Sequence, residues 1–154
     1  VYSEGILYCS SSTATHSSGI VALKLSEDGK SVEQKWRNSS FNSLMGGIVL
    51  IDGVIYGSTY RKSEWSAIDA STGEQTIVSE DFGGGVIIYA DDLFYLYSVE
   101  GEVALVSMDR NRFEVKGRFE VPLGTDQHWA HPVIKGKRLY IRHGDALMVY
   151  HIAR

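Results

Sequence analysis

Four of the five histidines in this 154-residue chain fall in stretches that read as loops: His16, His128, His131 and His143. The densest stretch is DQHWAHP, Asp126 to Pro132, where His128 and His131 stand three residues apart on either side of Trp129. Near neutral pH an imidazole serves as metal ligand, general base or hydrogen-bonding strut. Two histidines without a cysteine, a close carboxylate pattern or a helix make a poor metal signature, so no metal site is expected. Two readings remain. In one, Trp129 packs at a seam, His131 bonds backbone and Pro132 fixes the start of a strand. In the other, this stretch contacts a ligand together with His143, which is expected to come close across the same unit.

A second grouping is TYRKSEW, residues 59–65. Tyr60, Arg61 and Lys62 beside Trp65 make a cationic aromatic spot suited to an anionic ligand or a partner protein, unless the charges are simply solvated. Arg142 adds a further cation next to His143. The candidate ligand contacts are therefore Tyr60, Arg61, Trp65, His128, Trp129, His131, Arg142 and His143, with no catalytic residue identified.

Other features argue for structure. Cys9 is the single cysteine, so it forms no internal disulfide, and it is expected to be a small buried side chain. Gly83–Gly85 leads into an apolar run of strand type rather than a helix, which leaves no phosphate cradle. The formal charge of −4 comes without a long basic run, so nucleic acid is not an expected partner. No apolar run reaches the roughly 18 residues of a membrane-spanning helix. The strand-like start at Val1 suggests a piece of a longer, processed protein.

The elements that must position these loops show as a repeat. GILYC (5–9), GVIYG (53–57) and DLFYL (92–96) share a turn residue, two apolar residues and a tyrosine, and KRLYI (137–141) follows the pattern with Arg138 at the first apolar position. Tyr8, Tyr56, Tyr95 and Tyr140 are spaced by 48, 39 and 45 residues. Apolar runs lie upstream in GGIVLI, GGVIIY and HPVIK, and downstream in IVALKL, WSAIDA, VALVSMD and ALMVYHI. A fourth run follows in the first three units. A period of about 40–50 residues with four short strands is that of a propeller blade. The expectation is an all-β propeller domain over 1–154, with blades at approximately 1–40, 41–82, 83–125 and 126–154. By strand count the first and last blades are incomplete, three, four, four and three, as in part of a seven- or eight-bladed parent. The raw edges of such a piece invite homodimerisation.

AIDASTGE (67–74) resembles the repeat of pyrroloquinoline-quinone (PQQ)-like propellers, Ala-x-Asp-x-x-Thr-Gly-Lys/Glu-x-x-Trp, through Ala67, Asp69, Thr72, Gly73 and Glu74, with Ile77 at the tryptophan position. The resemblance is specific for fold. It implies a bacterial periplasmic or secreted protein. Some members are PQQ- and calcium-dependent alcohol dehydrogenases, including polyvinyl-alcohol-type enzymes; others are scaffolds, as in outer-membrane assembly lipoproteins. The adjacent cysteine pair of several quinoproteins is absent, and no acidic calcium cluster is recognisable. Any PQQ and calcium would belong to the rest of the parent. The resemblance therefore implies a non-catalytic binding or scaffold module, with the dehydrogenase and a carbohydrate- or polymer-binding surface as alternatives. In the motif itself, Asp69 should accept hydrogen bonds from the turn, and Gly73 should supply a positive φ. The repeat also sorts the loops: short plain turns on one face, and the histidines, tryptophans and arginines on the other, which becomes the expected binding face.

Overall fold

The computed structural model describes residues 1–12, 18–60, 62–109 and 112–152. His16 and Arg61 lie outside the described residues. The strands form four antiparallel sheets, each in chain order. The first holds β1 (Tyr2–Ser3), β2 (Ile6–Ser11), β3 (Gly19–Leu25) and β4 (Val32–Asn38). The second holds β5 (Ile48–Ile51), β6 (Val54–Ser58), β7 (Trp65–Asp69) and β8 (Gln75–Ser79). The third holds β9 (Gly85–Ala90), β10 (Leu93–Ser98), β11 (Glu102–Asp109) and β12 (Arg112–Glu120). The fourth holds β13 (Val133–Lys135), β14 (Arg138–His143) and β15 (Ala146–His151). These are propeller blades, with the last one strand short. No helix among the described residues is long and apolar enough to cross a membrane.

The first blade differs from the expected three strands. Tyr2 and Ser3 pair with Leu7 and Ile6, adding a two-residue inner strand. Two residues are too few to leave an apolar periodicity in the sequence.

The tyrosine strands explain the stacking. Each lies inside its sheet; those of blades 2 and 3 have both faces covered, and strands buried on two faces read as continuous apolar runs, whereas those of blades 1 and 4 leave one face open. Tyr8 joins the core between blades 1 and 2, together with Ile20, Phe41, Ile55 and Ile68. Tyr56 turns the other way from Ile55, into the core with Phe94 and Leu96 of blade 3. Tyr95 in turn meets Leu139 and Ile141 of blade 4. Alternate side chains of one strand thus hold two neighbours, as the two-residue period requires.

Each first hairpin closes in two residues with positive φ at both: Glu4–Gly5, Asp52–Gly53, Asp91–Asp92 and Gly136–Lys137. That is the turn whose twist matches a right-handed hairpin. The motif turn behaves as its sequence demands. Asp69 Oδ1 accepts from the backbone N–H of Ser71 and Thr72 and from Ser71 Oγ. These bonds hold the Asp69 carboxyl below its ordinary range, the Ser71 hydroxyl contributing most. Gly73 has φ +78°, and a Cβ there would stand 2.5 Å from Trp36 Cε3. Trp36, on the outer strand of blade 1, donates Nε1–H to Ala70 O at 3.0 Å. AIDASTGE therefore forms a dock for the tryptophan of the preceding blade.

Candidate functional site

The loop-rich face collects the β6–β7 loop, the β10–β11 turn and the connections leading into blades 2, 3 and 4. Leu44, Met45 and Gly46 come from the connection into blade 2. Thr59, Tyr60 and Ser63 come from the β6–β7 loop, Gly84 and Gly85 from the start of blade 3, and Val99 from the β10–β11 turn. His128 and Trp129 come from the connection into blade 4. Together with Ser58 and Val86 they line one cleft of about 50 Å³.

Its rim is apolar and open to solvent: Leu44 is 47% exposed, Tyr60 51%, Val99 39% and Trp129 48%. Its floor depends on glycines in close contact. A Cβ on Gly46 would collide with Gly85 O, and one on Gly84 would stand 3.0 Å from Ser63 Cα. Ser58 Oγ, buried beneath, donates to Gly85 O at 2.8 Å and accepts from Gly85 N–H. The floor is thus hydrogen-bonded and fixed, while the rim is free.

DQHWAHP is held on the scaffold by three side chains. His143, buried at the end of β14, places Nδ1 2.9 Å from Leu123 O and Nε2 2.9 Å from Asp126 O. Carbonyl oxygens only accept, so both are satisfied at once only by the protonated ring, and the pocket favours the imidazolium. Its pKa is correspondingly raised, by the bond to Asp126 O first and that to Leu123 O second. His128 stacks on it, with ring centroids 3.6 Å apart and planes at 21°. Desolvation and then the neighbouring His143 charge lower the pKa of His128, which is the neutral member. Its Nδ1 lies 2.6 Å from Tyr97 Oη. Tyr97 is fully buried, and desolvation pushes its phenol up to about 12, so it keeps its proton; His128 Nδ1 is the partner facing that buried hydroxyl, and the O–H is satisfied by donating to it. The proton of His128 is then on Nε2. Finally, His131 Nε2–H donates to Met45 O across 86 residues of sequence, tying the connection into blade 4 to the one into blade 2.

The structure therefore brings together Tyr60, His128 and Trp129 at the cleft, with His143 stacked behind and His131 bracing the side. Arg142 is exposed and turned to Gly144 O, away from this group. Lys62 pairs with Glu64 at 3.7 Å. Trp65 is 1% exposed and is not a surface contact. Its Nε1–H donates to Gly83 O, and its ring packs on Phe82, pinning the connection into blade 3. Trp129 is the reverse case, exposed at the rim rather than packed in a seam. Cys9 is exposed, not buried, because its side of β2 faces away from blade 2. Leu44, Met45, Val99 and Tyr97 are missing from the sequence-derived candidates. Large apolar residues inside polar loops, as in NSLMG and SVEGE, were the available signal for the first three.

Among the described residues no group of three or more His, Cys, Asp or Glu side chains is placed to hold a metal ion. The cleft has no room for a tricyclic quinone.

The four sheets are blades of a β-propeller, with a loop-built cleft on one face. No protein-family model matches the chain. No curated protein matches it by sequence. Solved structures do match by fold. BamB from Moraxella catarrhalis superposes with a TM-score of 0.69 at 14% identity, over 97% of this chain and 40% of that one. A europium-containing methanol dehydrogenase superposes with a TM-score of 0.57 at 14% identity, over 79% of this chain and 24% of that one. The chain thus spans less than half the length of either protein.

Proposed function

We propose that the protein is a non-catalytic PQQ-like propeller that binds a protein partner through its loop-rich face, as a recognition or scaffold module of the bacterial periplasm or exterior. One observation carries this reading. Four large apolar side chains from four separate chain segments stand exposed around one fixed cleft, and contiguous exposed apolar surface of that kind marks interaction sites. The likeness to BamB is one of fold and leaves this reading to rest on the cleft; the name of the europium-containing methanol dehydrogenase supports the second reading, a dehydrogenase whose quinone and calcium ligands lie elsewhere in the protein. The third reading, a polymer- or glycan-binding surface, rests on exposed Trp129, but Trp65 is not beside it to form a two-tryptophan platform.

The test uses the full-length protein. Photo-crosslinking side chains at positions 60 and 129 are expected to capture a protein partner, while one at position 30 on the opposite face does not. Tight stoichiometric binding of PQQ with calcium, accompanied by alcohol oxidation, would overturn the non-catalytic reading.

A further inference from the structure

The cleft also carries its own ligand chemistry, which rests on the binding-face reading above. We infer that it receives one small aliphatic side chain of an extended protein segment, of leucine or methionine type, with His128 Nε2–H donating to a backbone carbonyl beside it.

Size selects the side chain. A water-sized sphere needs about 10–15 Å³ of such space, so about 50 Å³ takes roughly four heavy atoms. That is the isobutyl group of leucine or the thioether chain of methionine. A sugar ring or an aromatic tricycle has more than twice that number and does not enter. Lining selects apolarity: Leu44, Met45, Val86, Val99 and Trp129 surround the space, and the hydroxyls of Ser58 and Thr59 are committed to backbone partners.

His128 supplies the polar element. Its Nδ1 is taken by the Tyr97 phenol, which leaves Nε2, set against Gly101 in the β10–β11 turn, as the ring nitrogen this wall can offer. The charged His143 ring stacked on it polarises that N–H. A neutral carbonyl fits better than a carboxylate, because Asp126 and Asp145 offset the His143 charge, and Glu100 lies near Gly83 at the cleft's edge. An apolar side chain next to a carbonyl acceptor is what every peptide residue presents, so the occupant is a protein segment.

The experiment titrates the protein with N-acetyl-leucine methylamide and N-acetyl-alanine methylamide, read by NMR at the Met45 methyl and the His128 ring nitrogens. The leucine compound is expected to saturate, with a Kd about 10- to 50-fold below that of the alanine compound, from three extra buried carbons. Val99→Trp, an exposed position whose larger ring fills the cleft, is expected to abolish the response with folding intact by circular dichroism. Trp129→Ala is expected to weaken it at least several-fold. Equal affinity for both compounds, no saturation, displacement by N-acetylglucosamine, or binding undisturbed by Val99→Trp overturns the inference. If these probes fail while crosslinking from positions 60 and 129 still captures a partner, the cleft occupant is wrong and the binding face stands. Loss of both removes both.

Discussion

Replacing Tyr97 by Phe tests the side-chain relay behind the cleft, because it deletes one oxygen atom and little volume. Tyr97 is fully buried, and its hydroxyl meets His128 Nδ1 at 2.6 Å. The phenylalanine ring keeps the packing against the core between blades 3 and 4, so no cavity larger than a hydroxyl forms. What is lost is one hydrogen bond, and a half-buried imidazole nitrogen is left unpaired. Such a loss costs about 1–2 kcal/mol. For a chain of this size that corresponds to a fall in Tm of roughly 3–6 °C. Urea unfolding followed by tryptophan fluorescence should show a lower midpoint with an unchanged slope. A double-mutant cycle with His128→Phe should give a coupling of about 0.5–1.5 kcal/mol, since the two changes remove the same bond. The nitrogen spectrum of His128 should move from a single Nε2–H tautomer to a mixture. A midpoint within error of the wild type with zero coupling would refute the relay. A loss above about 3 kcal/mol would show that packing, not the hydrogen bond, dominates.

Gly73→Ala combines a left-handed residue with a collision against Trp36, so a loss of about 2–3 kcal/mol is expected by urea unfolding, against about 1 kcal/mol for Trp36→Phe, which loses the bond to Ala70 O. The paired imidazoles give opposite pH dependences. His143, raised in the fold, contributes fully below its unfolded value of about 6.5 and loses that contribution as pH rises through its folded value. His128, depressed in the fold, contributes fully above about 6.5 and loses it as pH falls. Thermal melts across pH 5–9 should therefore peak between the two folded values, and His143→Gln should flatten the alkaline side and also ease the acid side, since the His143 charge adds to the depression of His128; an unchanged alkaline limb would refute the imidazolium assignment. Leu147, Val149 and Val133 are exposed on one side of blade 4, and the 154-residue chain is expected to dimerise through such uncovered faces. Light scattering that finds only monomer at high concentration would count against this.

The fold was legible because the tyrosine strands lie inside their sheets and, in blades 2 and 3, are covered on both sides. A strand in that position must be apolar at consecutive residues, so each tyrosine strand stood out, and the spacing of Tyr8, Tyr56, Tyr95 and Tyr140 gave the blades. The two-residue β1 was not legible, since its pairing with Ile6 and Leu7 is decided by its neighbour rather than by its own pattern. The two tryptophans show the same limit at the site. Trp65 opens a strand and shares its register with Ala67, which faces blade 3, so it is enclosed by Phe82. Trp129 lies in a connection with no register, and nothing in its local sequence states which way it points. The stacking of His128 on His143 was half legible: the expectation that they meet follows from the repeat, but the sharing of protons between them depends on the carbonyls of Leu123 and Asp126.

The asymmetry between the two faces follows from chain length alone. Turns within a blade join strands about 4.8 Å apart, and two residues suffice for Glu4–Gly5, Asp52–Gly53, Asp91–Asp92 and Gly136–Lys137. A connection between blades must return from the outer strand to the inner strand of the next sheet, about three such spacings or 14 Å. At roughly 3.3–3.6 Å per residue that demands at least four to five residues, and the chain uses more between β4 and β5 and between β12 and β13. All these returns lie on one face, so that face alone has the spare chain to build a cleft. Histidine fixes its longest return. His143 holds two carbonyls of the connection into blade 4, and His131 ties that connection to Met45 on the far side of the cleft. Replacing His131 should therefore loosen the cleft without touching a blade core. The expected signature of His131→Ala is faster amide exchange at Met45 and Trp129, with the unfolding midpoint shifted by less than that of Tyr97→Phe.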